Sequence, residues 1–341
     1  MTRALPTLLF LLCLAPVCSA LLAQGSDGPR YRYTERDPLA DVAGDGWLRP
    51  ADTFHADRFY TAAAIGASTY AGFGVGLYSI WYKGYELERF HTFNDWPEWE
   101  QMDKAGHAFT AYAFNRMAFA GLRWTGLKRP AARYTALGVA NLLQATIETM
   151  DGFSANWGFS LGDMGANLAG SLVFTAQDAL WQEQRMLLKV SNDFRPPPDV
   201  PLYGRNGVEG NLGYVSRMRF GENPFERYLK DYNAQTIWLS VNPAAFAPRS
   251  FLPPWLNLAV GYGVEDVYGA YYNTWRQDGA GFSYRNDDRR RQWFLSPDLY
   301  LSRIPTNKRW VRMVLGILDF VKVPSPALEY SRGRFYGHWI M

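Results

Sequence analysis

Between Asp103 and Gly170, three segments set ionisable and polar side chains at one-turn spacing inside otherwise apolar sequence. They are Asp103-Lys104-Ala105-Gly106-His107, Glu148-Thr149-Met150-Asp151, and Ser160-Leu161-Gly162-Asp163-Met164-Gly165-Ala166-Asn167-Leu168-Ala169-Gly170. Residues three or four apart share a helix face, so Asp103/His107, Glu148/Asp151 and Asp163/Asn167 are placed to converge between helices. A buried ionisable group is costly unless it pairs, binds something or does chemistry.

Two chemistries suit this set. In the first, Asp103 orients and charges His107 while a carboxylate from Glu148, Asp151 or Asp163 completes a proton-transfer pair, which makes Asp103, His107, Glu148 and Asp151 the candidate catalytic residues. In the second, Asp103, His107, Glu148 and Asp163 surround a divalent cation. One nitrogen among several oxygens suits manganese, magnesium or iron better than zinc. The cation is the less favoured of the two, because helical metal sites usually repeat a Glu-x-x-His unit and one histidine is at hand here. No other cofactor is indicated, and no Gly-x-Ser-x-Gly elbow or phosphate loop names a nucleophile or nucleotide.

A structural account competes for part of the set. Ser160-x-x-Asp163 reads as a capping box at a helix start, Gly162, Ala166 and Gly170 form a small-residue packing stripe, and Asn167 ties neighbouring helices together. That explains the third segment at little cost and leaves Asp103, His107 and Glu148 unexplained.

The elements that carry these residues can be read outward from them. Asp95-Trp96-Pro97-Glu98 signals a helix start with Asp95 as N-cap and Glu98 closing a capping box, the helix running to about Leu122. Further helices are expected from about Ala131 to Met150 and from Leu161 to Glu183. Phe59 to Tyr82 carries no charge for 24 residues, long enough for a helix to cross the ~30 Å hydrocarbon core of a bilayer. A buried helix is the alternative there. Downstream of the linker Asp193-Phe194-Arg195-Pro196-Pro197-Pro198-Asp199 the texture turns to strands and turns. Large apolar residues alternate through Leu256–Val264 and again through Gln292–Ser302, with weaker signals at Thr236–Val241 and Ala327–Gly337 and an amphipathic helix at Trp310–Val321. The strands resemble pieces of an outer-membrane barrel but number about half the roughly eight that the smallest closed one needs. The fold expected is α+β: an N-terminal four-helix unit, with a bilayer left open as its setting, followed by a strand-rich antiparallel C-terminal region.

The opening residues Met1-Thr2-Arg3, followed by an apolar run from Ala4 to Leu14, read as a secretory leader cut near Ala23. The chain then divides into that leader (1–23), an extended arm (24–57), the helical unit (58–188) and the strand-rich region (189–341). Cys13 and Cys18, the two cysteines of the chain, both fall in the leader, and neither sits in a good lipid-attachment box. Thiolate sites and disulfides are therefore not expected in the mature chain. A net charge of +3 is too near balance to argue for nucleic acid. Aromatics at 16% lean slightly toward a membrane interface. His55, His91 and His338 stand alone and read as ordinary histidines.

The pattern Asp103-Lys104-x-x-His107, Glu148-x-x-Asp151, Ser160-x-x-Asp163-x-x-x-Asn167-x-x-Gly170 resembles the YfiM-like family of uncharacterised exported bacterial proteins. More remotely it is similar to the VanZ-like membrane proteins, whose Glu-x-x-Gln stands where this chain has Glu148-x-x-Asp151. The resemblance covers about Phe59 to Glu183 and implies an architecture and a site but no substrate. The function expected is that of a membrane-associated envelope protein holding a small ligand or cation at the polar site. A membrane-embedded hydrolase or transferase acting on an envelope lipid or glycan is one alternative, and a purely structural outer-membrane component is another. Mass spectrometry of the exported protein tests the leader: a chain beginning at or near Gln24 is expected, and an acylated chain beginning at Cys18 would overturn the unlipidated reading.

Overall fold

In the computed structural model the described residues are 47, 50–51, 53–79, 86–204, 207–247 and 252–341. The leader, nearly all of the extended arm, both cysteines and the Trp81-Tyr82 pair lie outside them. The described chain is a mixture of seven helices and antiparallel strands, with the strands in the C-terminal half.

Helix α1 spans Ala56–Leu77. Three longer-range helices follow, α2 (Met102–Trp124), α3 (Arg129–Gly152) and α4 (Leu161–Trp181), and these three pack on one another. α1 is not an equal fourth member. It is mostly exposed and touches its neighbours through Tyr70, whose hydroxyl lies 2.9 Å from that of Thr146, and through Phe73 against Phe114. Among the described residues no helix is long and apolar enough to cross a membrane, α1 included.

The interior between α2, α3 and α4 is unusually polar. Asn115 donates to the Ser171 carbonyl and to Thr175 Oγ1, both at 2.8 Å, and Asn141 donates to Ser171 Oγ at 2.9 Å. At the far end Asp178, fully buried, accepts from Arg129 Nε at 3.0 Å and Arg133 Nε at 2.6 Å. Such groups are tolerated inside because each finds a partner. An apolar cluster of Tyr112, Phe119, Ala132, Ala136 and Phe174 sits beside them and continues into Leu187 and Tyr300.

The start of α2 differs from the expected capping box. A 3-10 turn occupies Glu98–Gln101, and Trp99, Glu100 and Gln101 all have positive φ, at 50°, 53° and 61°. Non-glycine residues reach that region only at a cost of order 1–3 kcal/mol each, so neighbours must hold it. The Trp99 amide donates to the Ala270 carbonyl at 2.8 Å, Arg291 donates to Gln101 Oε1 at 2.6 Å, and Tyr262 donates to the Glu100 carbonyl. The turn delays the helix to Met102, which puts Asp103 in its first turn and frees Asp95 from capping.

The C-terminal half contains a six-stranded antiparallel sheet in the order β1-β4-β5-β8-β9-β10. Its strands are β1 (Met186–Asn192), β4 (Gln235–Val241), β5 (Leu256–Glu265), β8 (Arg290–Leu299), β9 (Ala327–Ser331) and β10 (Arg334–His338). Two small hairpins, β2 (Pro201–Tyr203) with β3 (Glu209–Asn211) and β6 (Thr274–Gln277) with β7 (Ala280–Ser283), lie outside it. The alternating segments thus become strands close to their expected bounds, and Ala327–Gly337 becomes a hairpin. The sequence texture hid two helices, α5 (Leu212–Phe220) and α6 (Pro224–Lys230), whose N-caps Asn211 and Asn223 accept from Gly213 and Glu226 amides. Helix α7 covers Arg309–Leu318 and ends before the expected Val321, which instead bridges to Val190 of β1.

One glycine of the expected stripe is an obligate contact. A Cβ on Gly170 would lie 1.9 Å from the Ala108 carbonyl oxygen, so α2 and α4 touch backbone to backbone there. A Cβ on Gly165 would meet nothing within 4 Å. Gly170→Ala is expected to lose about 1–3 kcal/mol or more in urea unfolding, while Gly165→Ala is neutral or gains up to about 1 kcal/mol from helix propensity. Equal behaviour of the two variants would contradict this packing.

Candidate functional site

The three polar segments meet. α2 brings Asp103, Lys104 and His107, the second half of α3 brings Gln144 and Glu148, and the first turns of α4 bring Ser160, Asp163 and Asn167. His107 Nε2 lies 3.8 Å from Asp103 Oδ1 and 3.8 Å from Asp163 Oδ1, and its Nδ1 lies 3.7 Å from Glu148 Oε1. Asp103, His107 and Asp163 offer ligand atoms that all fall within 4.8 Å of one another. Asp151 lines the same cavity but stands outside that triad.

The histidine's tautomer follows from its neighbours. Gln144 Nε2 donates to Asn167 Oδ1 at 2.8 Å and to the His107 carbonyl at 3.2 Å, so the oxygen of Asn167 faces the imidazole. His107 Nδ1–H therefore donates to Asn167 Oδ1 at 3.1 Å. In the neutral form of the ring the Nε2 lone pair is then aimed between two carboxyl oxygens at 3.8 Å, each too far for a hydrogen bond. Among the described residues, buried Oε1 of Glu148 and Nδ2 of Asn167 have no hydrogen-bond partner.

Lys104 is the balancing charge. Its Nζ lies 2.7 Å from Asp163, 2.8 Å from Asp95 and 3.1 Å from Asp103. Ser160 Oγ donates to Asp95 Oδ1 at 2.6 Å and accepts from the Asp163 amide at 3.0 Å, which fulfils the expected N-cap. The capping box is only half made, because the Ser160 amide donates to Glu148 Oε2 at 3.2 Å while the Asp163 carboxyl turns to Lys104. Tyr232, on the loop between α6 and β4, donates to Asp103 Oδ1 at 2.8 Å.

Three carboxyls thus share one ammonium, with Glu148 close by, and protons absorb the excess negative charge. Burial, with the Asp163 and Asp151 charges, pushes the Glu148 carboxyl up to about 8 against the pull of His107. Burial and the Asp103 charge push Asp163 up to about 9, and the proton it shares with Asp95 sits on Asp163. Burial also opposes ionisation of Asp103, but His107, Lys104 and the Tyr232 hydroxyl outweigh it and hold that carboxyl below the usual range. Asp95 is lowered too, its hydrogen bonds with Asp163, Lys104 and Ser160 outweighing burial. Burial would lower Lys104, yet Asp103 and Asp163 raise it further.

These residues floor a cavity of about 400 Å³. Its walls are aromatic and aliphatic, with Phe73, Phe93, Trp99, Phe109, Trp157 and Tyr232 among them. Sequence spacing had pointed to Asp103, His107, Glu148 and Asp163. It had missed Tyr232, which lies 129 residues from its partner in a segment that reads as a turn. Asp95 had been read as a cap, and Lys104 as a motif residue without a role. Gln144 did leave a signal, being a polar residue one turn before Glu148 on the same face.

Of the remaining histidines, His338 is not isolated, since its Nε2 lies 2.6 Å from Glu329 Oε2. His91 Nε2 contacts the Trp157 carbonyl at 2.6 Å.

Because Glu148 and Asp163 keep protons in the folded chain that the unfolded chain releases near 4.5 and 3.8, their contribution to stability is full at low pH and is lost as pH rises through about 8 and 9. The urea midpoint should therefore fall from about pH 5 to about pH 9, and Glu148→Gln should flatten the slope. A midpoint that rises over that interval in the parent chain would refute the assignment.

The chain matches a family model described as "Predicted periplasmic lipoprotein (DUF2279)" over residues 93–176. No curated protein matches, and no solved structure matches. No similarity to the VanZ-like membrane proteins is shown. The description names a lipoprotein, where the leader reads as lacking a lipid-attachment box. The matched residues take in Asp95, Asp103, Lys104, His107, Glu148, Ser160, Asp163 and Asn167, and leave out Tyr232. That match fits a protein exported to the cell envelope, in a family whose function is unknown.

Proposed function

We propose that this envelope protein holds a divalent cation at Asp103, His107 and Asp163, on the floor of the cavity. The observation that supports the reading is the orientation of His107. Its Nδ1–H is fixed on Asn167 Oδ1, so Nε2 presents a lone pair toward two carboxylate oxygens at 3.8 Å. Once Asp163 gives up its proton, these three atoms repel one another unless a positive charge lies among them, and of the three the Lys104 ammonium contacts only the two carboxylates. A carbonyl oxygen on the far ring nitrogen is the usual means by which a ligating histidine is oriented. With one nitrogen and two or more carboxylate oxygens, the donor set suits manganese, magnesium or iron rather than zinc.

Binding would displace the proton from Asp163 and draw Glu148 toward ionisation. Affinity should therefore rise with pH through about 8 to 9.

Titration calorimetry with manganese, paired with elemental analysis, tests the reading. One equivalent is expected in the parent chain and none in His107→Ala, with an observed heat that varies with the buffer's ionisation enthalpy because protons are released. Asn167→Ala, which removes only the orienting oxygen, should weaken binding about 10–100-fold while circular dichroism stays unchanged. Absence of binding to the folded parent chain would sink the proposal.

The aromatic walls favour a second reading, in which His107, which lines the cavity, exchanges a proton with a ligand held there and the buried Glu148 behind it tunes the imidazole. Envelope lipids and glycans are the substrate classes this reading would admit.

A further inference from the structure

The sheet has its polarity reversed. Along β4, β5, β8 and β9 the side chains facing the interior are small or polar apart from a buried Trp238–Phe294 pair, and those facing outward are mostly large, apolar and exposed, Ile237 and Val264 being covered where they pack with Met102. Inside, Lys189 and Asp298 form a fully buried pair at 2.8 Å, Ser240 donates to Asp298 at 2.5 Å, and Asn257 donates to Ser240 at 2.9 Å. Glu329 accepts from Gln292 at 2.9 Å and from Ser331 at 2.8 Å. A sheet packed on an ordinary apolar core shows the opposite alternation.

Strand register arranges the outer face in layers. One row across four strands is aliphatic: Leu239, Val260, Leu295 and Leu328 stand side by side, each between 38% and 46% exposed. The next row, two residues or about 7 Å along the strands, is aromatic: Tyr262, Trp293, Tyr330 and Phe335. Their rings pair, Tyr262 with Trp293 at 4.9 Å and Tyr330 with Phe335 at 5.1 Å. One row further, Arg291 stands beside Val264 and reaches Glu100 at 3.2 Å. Aliphatic, aromatic and charged layers in that order reproduce the sequence of environments from bilayer hydrocarbon through the interface to water.

The helices show the same reversal independently. α4 turns Asn167, Ser171 and Asp178 inward and exposes Leu161, Leu172 and Leu180, while α3 buries Gln144 and Glu148 and exposes Leu142. α7 exposes Trp310, Met313, Val314 and Ile317 beside exposed Lys308, and no acidic residue occurs from 303 to 318. A basic amphipathic helix of that kind complements anionic headgroups.

We propose that the outer face of β4-β5-β8-β9-β10 contacts the acyl chains of a lipid bilayer, with the Tyr262–Phe335 row at headgroup level. A second copy of the chain is the weaker occupant. Exposed apolar side chains occur on the sheet, α3, α4 and α7 alike, and a dimer gives no reason for an aromatic layer beside an aliphatic one. The inference concerns faces rather than spans, so it is compatible with helices whose mean hydropathy is lowered by their polar inner sides. It is independent of the cation.

The test uses the full chain carrying Cys13→Ser and Cys18→Ser, with single cysteines introduced by Leu295→Cys, Leu328→Cys or, as an exposed polar control, Asp287→Cys. Each is labelled with bimane and added to phosphatidylethanolamine and phosphatidylglycerol vesicles whose acyl chains are brominated. Labels at 295 and 328 are expected to lose most of their fluorescence while the label at 287 keeps it, with far-ultraviolet circular dichroism matching the parent chain. Similar weak quenching at all three sites would overturn the proposal. So would emission at 295 that blue-shifts with rising protein concentration and without lipid, which would assign the face to a second copy.

Discussion

The arrangement turns on one shortage: three carboxyls, Asp95, Asp103 and Asp163, share the single ammonium of Lys104, and a fourth, the buried Glu148, faces His107 beside them. A low-dielectric interior does not tolerate that imbalance unaided. Hydrogen bonds from Ser160 and Tyr232 spread part of it, protons retained on Glu148 and Asp163 absorb more, and the lone pair of His107 remains to attract a cation. The strained turn at Trp99–Gln101 belongs to the same solution. By delaying α2 until Met102, it lets Asp95 come round to Lys104 instead of capping the helix.

Charge in the interior also sets the character of the surface. Much of the space between α2, α3 and α4 and behind the sheet is taken by Asn, Gln, Ser, Asp, Arg and Lys, beside apolar clusters around Phe174 and Trp238. Many of the remaining apolar side chains of those same elements are left to face outward. The polar interior around Asp163 and the polar interior around Asp298 are thus instances of one pattern, and each leaves an aliphatic exterior.

How much of this is legible in the sequence depends on the range of the interaction. Asp103/His107, Glu148 and Asp163/Asn167 are read directly, because helix period alone assigns them to faces. The strands at Leu256–Glu265 and Arg290–Leu299 are equally plain from their alternation, which reports the period. Alternation does not say which face is inside, however, and here the more polar set is the buried one, gathered around Trp238 and Phe294. The start of α2 is misread for a different reason. Asp95-Trp96-Pro97-Glu98 satisfies the local capping rules, but Ala270, Tyr262 and Arg291 hold the following turn in a conformation that no local rule favours. Helices α5 and α6 are too short for periodicity to show. Tyr232 leaves no local signal because its role depends wholly on the approach of two distant segments.

The hydroxyl of Tyr232 on Asp103 joins residues of unequal origin in the chain. The acids, the lysine and the histidine all lie within residues 93–176, whereas the wall that shuts water away from Asp103 comes from beyond it. Floor and roof are therefore separable in principle. A chain that kept the floor and lost the roof would still hold Glu148 and Asp163 among its helices, but Asp103 would lose the hydroxyl that helps keep it ionised. The C-terminal half thus bears on the site through Asp103, while the raised carboxyls are the work of the helices themselves.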